Sequence, residues 1–337
     1  MTRTYTAASS EVLRNLSVIL LENPAAIEHL PHADAKSLER VLEANGLEAS
    51  LFELARKHGV EGLITPERLS AWRLSKLMSE ARSQAFQEAL KDVAKAARGL
   101  EIPLRLFRGT QMAFEVYPTP EHRPLTSLEL LVGGGREAEL QTALRKYRFF
   151  ELDTLTPISP EHHHLPPLER DGVLVTLFRL SSRDARPAPW EAPPHLKISG
   201  SIPGFKSAAL MVLLCDEIAE RKYSHSLRLL RDLHEATRRL SPDWRQVVQL
   251  AIESERTLEV FAALSLLEEL LGTPVPAEVL LELKTMVSLG KPGTKLFLKV
   301  ARATSLSTPA PHRHIEILTR LLCQASRKTS AQMRHSS

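Results

Sequence analysis

Residues 103–132 read PLRLFRGTQMAFEVYPTPEHRPLTSLELLV, and the fold turns on how this stretch is parsed. Pro103-Leu104-Arg105-Leu106-Phe107 is a short strand candidate, and Gly109 supplies a turn after it. Thr110 to Val116 has the composition of a short helix, which Pro118 and Pro120 break. Leu125 to Val132 alternates and then becomes continuously apolar, as a strand with one buried end does.

Downstream the same texture continues. Gly133-Gly134-Gly135 is a loop, and without a following Lys-Ser/Thr it is no Walker A motif. Glu137 to Lys146 is helical in pattern and Phe149 to Leu155 extended. His162 to Leu168 and Val173 to Leu180 are strand candidates, with Asp171-Gly172 as the hairpin turn between them. Helices set between strands point to a small α/β or α+β unit.

Helical patterning surrounds this unit. Ser9 or Ser10 can cap a first helix carrying Val12, Leu13, Leu16, Ile19 and Leu20, and Asp34 a second carrying Leu38, Val41 and Leu42. Ala49 to His58 reads as a third, closed by Gly59, and Thr65-Pro66-Glu67 opens one that runs to about Arg98. On the other side, a proline-rich stretch from Arg186 to Pro194 reads as a linker. Helices are then expected over 206–221, 226–240, 257–271 and 280–287, with Ser241-Pro242 opening another. Lys291-Pro292-Gly293 is expected to break the pattern before a last helix at 315–325. The fold class is α+β and mostly helical: a small mixed sheet flanked by N-terminal helices and a C-terminal helical bundle. The expected boundaries are a helical region at 1–98, a sheet core at 99–185, a linker at 186–204, a helical domain at 205–325 and a tail at 326–337.

Composition excludes several classes. The chain has 337 residues, and 43% of them are hydrophobic, so wholesale disorder is excluded. Cys215 and Cys323 are the two cysteines, too few for a disulfide framework or a multi-cysteine zinc site. No apolar run reaches the roughly 18–20 residues of a membrane helix, and Met1 to Ser10 lacks a signal-peptide pattern. These readings favour a cytoplasmic protein with no membrane partner. Lys and Arg total 44 against 40 for Asp and Glu, an excess too slight to call for nucleic acid.

The order Arg108-Gly109, Arg123-Pro124, Ser127-Leu128-Glu129-Leu130-Leu131-Val132 resembles the uncharacterised bacterial nucleotidyltransferase group of the polymerase-beta-like superfamily. The resemblance extends from about Leu51 to Pro276. It includes Glu53 to Val60, His163-His164-Leu165-Pro166-Pro167-Leu168, and Leu230-Arg231-Asp232-Leu233 ahead of Asp243-Trp244. It implies a strand ending in Lys-Gly, an Asp-x-Asp strand, and a third acid in Glu-x-His on a neighbouring strand. Paired carboxylates on alternate strand positions face the same way and hold magnesium, which aligns a hydroxyl with a nucleotide's alpha-phosphate. Mg2+ and a nucleoside triphosphate (NTP) are therefore the implied cofactor and ligand.

Three departures bear on this. Ser127 stands at the first acid position, Thr176 at the third, and Phe178 where the histidine would be. Glu129 alone keeps a carboxylate, which makes it the residual catalytic and weak metal-binding candidate. Arg108 replaces the lysine, and Arg108, Gly109 and Arg123 are the candidate nucleotide-binding residues. A hydroxyl neutralises no charge on a hard dication. The expected function is accordingly a nucleotidyltransferase-family protein with a degenerate metal site and weak or no catalysis. It would act as a nucleotide- or phosphate-binding or protein-interaction module. The alternative is an active Mg-dependent enzyme transferring NMP from NTP to an acceptor, using Glu129 with Asp153, Asp171 or Glu121.

Plainer readings stand beside these. Glu129, Arg108 and Arg123 can be read as ordinary surface charges. Of His162-His163-His164, only His162 and His164 would share a strand face, and they match a segment of the resembled family that its metals do not need, which speaks against a metal cluster. Arg228, Arg231, Glu235 and Arg238 share a helix face that reads as a salt-bridged surface. Cys215 sits in an apolar helical run and reads as core.

Overall fold

The computed structural model describes residues 42, 46–59, 61–152, 164–179, 204–223, 227–287 and 290–305. In chain order the elements are α1 (Glu48–Lys57), α2 (Pro66–Gly99), β1 (Leu104–Leu106), α3 (Arg108–Gln111), β2 (Leu128–Val132), α4 (Glu137–Leu144), β3 (Phe150–Glu151), β4 (Leu168–Arg170) and β5 (Val173–Arg179). Among the described residues six helices follow: α5 (Ser207–Glu220), α6 (Leu227–Leu240), α7 (Trp244–Glu253), α8 (Thr257–Leu271), α9 (Ala277–Met286) and α10 (Gly290–Ser305). The chain divides into two compact units, one of Leu77–Leu210 and one of Met1–Lys76 with Met211–Ser337. This is an α+β fold with a small mixed sheet between helical segments of the sequence.

The sheet belongs to the 77–210 unit. Its five strands lie in the order β1-β2-β5-β4-β3, and only β2 and β5 run parallel. Period-two alternation sends Leu128, Leu130 and Val132 of β2 and Val173, Val175 and Leu177 of β5 to one face, where all are buried. Phe86, Ala89, Val93, Ala96 and Ala97 of α2 recur at helical spacing and join the same core, with Leu140 and Leu144 of α4. The opposite face carries Glu129, Leu131, Thr176 and Phe178, which include the candidate site positions.

Local chemistry accounts for the turns. Asp171 (φ 51°) and Gly172 (φ 80°) are both left-handed, as a two-residue I′ hairpin turn requires, and the Gly172 N–H donates to Glu169 at 2.6 Å. β4 is shorter than expected. Pro166 and Pro167 have no N–H to give a ladder, so of the expected strand His164 makes an isolated bridge to Phe178 and pairing resumes at Leu168. After α3 the expected helix continues as a π-turn over Met112–Val116.

In the other unit, α8 is buried along most of its length, with Leu258, Val260, Phe261, Leu264 and Leu267 at its centre. α6 buries Leu227, Leu229, Leu230, Leu233 and Ala236. α1 ends as expected, with Gly59 in the left-handed region at φ 66°. Two expectations are corrected. α7 starts after Asp243, not Ser241, because the Asp243 carboxylate accepts the N–H groups of Arg245 (3.0 Å) and Gln246 (3.2 Å). Lys291-Pro292-Gly293 is no break: it lies in the first turn of α10, where a missing N–H costs nothing. The helices expected near Val12, near Leu38 and over 315–325, the proline-rich linker, Asp153, His162 and Cys323 lie outside the described residues.

Candidate functional site

The parallel pairing of β2 with β5 sets Glu129 directly beside Thr176, and Leu131 beside Phe178. Ser127 stands just before β2, two positions from Glu129. β1 completes this face: Arg105 is opposite Leu131, and the Phe107 N–H donates to the Glu129 carbonyl at 3.1 Å.

The chain leaves β1 through Arg108, which adopts φ 45°, uncommon for a residue with a side chain. Its guanidinium carbon lies 4.8 Å from the Phe107 ring centre and 5.6 Å from that of Phe178. The two rings are themselves 4.9 Å apart. Next comes Gly109, where a Cβ would meet the Arg123 guanidinium at 2.8–2.9 Å. Arg123 is thus packed directly against the Gly109 backbone, and it is buried. Thr110 ties this turn to β2, its Oγ1 accepting the Glu129 N–H at 2.7 Å. Arg108, Gly109, Arg123 and Glu129 are gathered at one end of β1 and β2, with Ser127 and Thr176 beside Glu129.

Four further residues join the face without having been singled out from sequence. Gln111 holds the Phe205 peptide from both sides, its Nε2 donating to the carbonyl at 2.7 Å and its Oε1 accepting the N–H at 2.8 Å. Glu115 accepts the Gly204 N–H at 2.9 Å, and Arg105 donates to the Gly204 carbonyl at 2.9 Å. The Phe205 ring packs 6.2 Å from Phe107 and 5.3 Å from the Arg105 guanidinium. Burial lowers the Arg105 pKa below its ordinary value, against the opposing charge of Glu115. Gln111 and Phe205 are 94 positions apart, so no local pattern signals their contact.

A family model described as "uncharacterised nucleotidyltransferase" matches residues 31–272. The chain belongs to that family, within the polymerase-beta-like superfamily. No curated protein and no solved structure matches it.

The oxygen donors of this face bear on whether it could hold a metal ion. Among the described residues, no group of three or more His, Cys, Asp or Glu is placed to hold a metal ion. Asp171 sits in the hairpin turn five residues before Thr176, roughly 16 Å along the strand, and so does not join Glu129. Glu121 lies on the turn at Pro120–His122, whose carbonyl at Glu121 accepts from Ser79 at 3.1 Å. His164 packs edge-on against Phe178 at 5.3 Å.

The other charged features are held within their own unit. Arg238 and Arg239 both bond to Glu235, at 3.2 and 2.5 Å, and Arg231 donates to Ser50 at 2.5 Å. Burial works to raise the Glu235 pKa, but the Arg239 hydrogen bond and the Arg238 charge outweigh it and leave it lowered. Asp232 is fully buried on the same helix. Cys215 is buried, and desolvation pushes its thiol pKa well up, away from reactivity. No helix among the described residues is long and apolar enough to cross a membrane.

Proposed function

We propose that this protein binds a nucleotide or another phosphate ligand at Arg108, Gly109 and Arg123, on a nucleotidyltransferase scaffold that no longer carries out two-metal transfer. The observation that carries this reading is the β2–β5 register, which pairs Glu129 with Thr176. With Ser127 at the remaining position, these three positions offer one carboxylate and two hydroxyls. Two magnesium ions need several anionic oxygens to offset their charge, so this donor set does not fit them. The phosphate-facing part has suitable chemistry: the Arg123 guanidinium lies against the Gly109 turn, and the adjacent Arg108 carries a second guanidinium stacked on Phe107. Glu129 then serves as a residual carboxylate beside the anion site, not as a metal centre. The protein acts as a binding module, and a protein partner that reads its ligand state is the natural output.

Equilibrium dialysis with ATP and GTP tests the binding half. The wild-type chain is expected to bind at least one of them. Arg108→Gly, which suits the φ at that position, is expected to lose binding by about tenfold or more while keeping its thermal midpoint. Failure of every nucleotide and of inorganic phosphate to bind would overturn the reading.

A further inference from the structure

The two departures at 108 and 178 touch each other, which treats them as one change instead of two losses. We propose that Phe107 and Phe178 hold the Arg108 guanidinium as a preset anion donor, making Arg108, Gly109 and Arg123 a phosphate site that needs no divalent cation. This rests on the phosphate-binding reading given above and specifies its ligand chemistry.

The aromatic support is geometric. The Arg108 guanidinium carbon is 4.8 Å from one ring centre and 5.6 Å from the other, within the reach of a cation–π contact. Phe178 is fixed in turn by its pairing with Leu131 on β2, by the edge of His164 at 5.3 Å and by Phe107 at 4.9 Å. A guanidinium held on two rings loses little side-chain freedom when it meets an anion, and its planar fork suits a phosphate's oxygens. A lysine in its place would have only a point charge and no plane to stack. A histidine at 178 would bring a titratable group to the cation in place of a neutral ring.

The local charge points the same way. Arg108 and Arg123 carry two positive charges near the end of β2, and Glu129 one negative charge. Arg105 and Glu115 on the neighbouring part of the face are engaged with Gly204 and offset each other. Acids at 127 and 176 would make the cluster negative, and a polyphosphate would then need metal ions to approach. With Ser127 and Thr176 there, those two negative charges are missing and the phosphate meets less repulsion. Arg123 is buried against Gly109, so its position too is fixed before any ligand arrives.

Calorimetry on the full chain with ATP as probe, in EDTA and then in excess Mg2+, tests this. The expected result is an affinity in EDTA equal to or tighter than that in Mg2+. Binding that appears only with Mg2+, or is tenfold tighter with it, would overturn the proposal and leave the phosphate-binding reading standing. Tripolyphosphate should compete with ATP in EDTA; if it does not, the phosphates are not what Arg108 grips and the proposal fails. Phe178→Tyr keeps a ring and should bind within about twofold of wild type, whereas Phe178→Leu keeps apolar bulk and should weaken binding about five- to tenfold. Equal binding by the Leu variant would remove Phe178 from the role. No ATP binding under any condition would remove both readings together.

Discussion

Gly109 is the residue on which the site's geometry depends most directly. Any side chain there would collide with the Arg123 guanidinium at 2.8–2.9 Å, and Arg123 is buried. Gly109→Ala should therefore displace Arg123, weaken phosphate binding, and cost about 1–3 kcal/mol of stability, the usual range for overpacking. Chemical denaturation alongside dialysis checks both effects. A variant that binds and unfolds like wild type would show that Arg123 is not held by this contact. Gly204 has a related constraint of space, since a Cβ there would fall among the Glu115 carboxylate and Gln111 amide atoms that secure it.

At the scale of elements, the sheet is held by its apolar face and the candidate site lies on the other. Leu130 is fully buried between strands and the α2 side chains. Leu130→Ala should lower stability by about 2–5 kcal/mol, measured by denaturant titration. The strands that build this face were legible because their alternation is strong: Leu125 to Val132 and Val173 to Leu180 both carry it, and Asp171-Gly172 marks the turn. Arg108, Gly109 and Glu129 were singled out from their order along the chain, and the structure brings them to one end of β1 and β2. Arg105, Gln111, Glu115 and Phe205 were not. Their contacts join β1 and the π-turn to a segment 94 positions away from Gln111, and periodicity carries no information over that distance. The expected break at Pro292 failed for a different reason. Proline stops a helix in its interior but suits its first turn, and local composition does not tell the two apart.

At the scale of the molecule, each unit has its own electrostatic balance. In the helical unit, Glu235 is held below its ordinary carboxylate value of 4.5 by Arg239 and Arg238 despite burial. A lowered folded pKa means that its stabilisation is complete above the unfolded value and is lost as pH falls through the folded one. Glu235→Gln should thus cost about 1 kcal/mol at neutral pH, discounted for partial exposure, and nothing well below the carboxylate range. Thermal melts of both proteins across pH check this, and a constant difference at all pH values would contradict it.

In the sheet unit the balance bears on function, because Ser127 and Thr176 leave Glu129 as the single carboxylate of the three positions on the site face. The central claim is that the scaffold is kept while metal-dependent transfer is lost. Incubation of the wild-type chain with alpha-phosphate-labelled NTPs, Mg2+ or Mn2+, and a broad set of protein, RNA and small-molecule hydroxyl acceptors tests it most directly. The account predicts no labelled product above a no-protein control, with calorimetric Mn2+ binding appearing only in the Ser127→Asp, Thr176→Glu double variant. Sustained multiple-turnover labelling of any acceptor by the wild-type protein would contradict it.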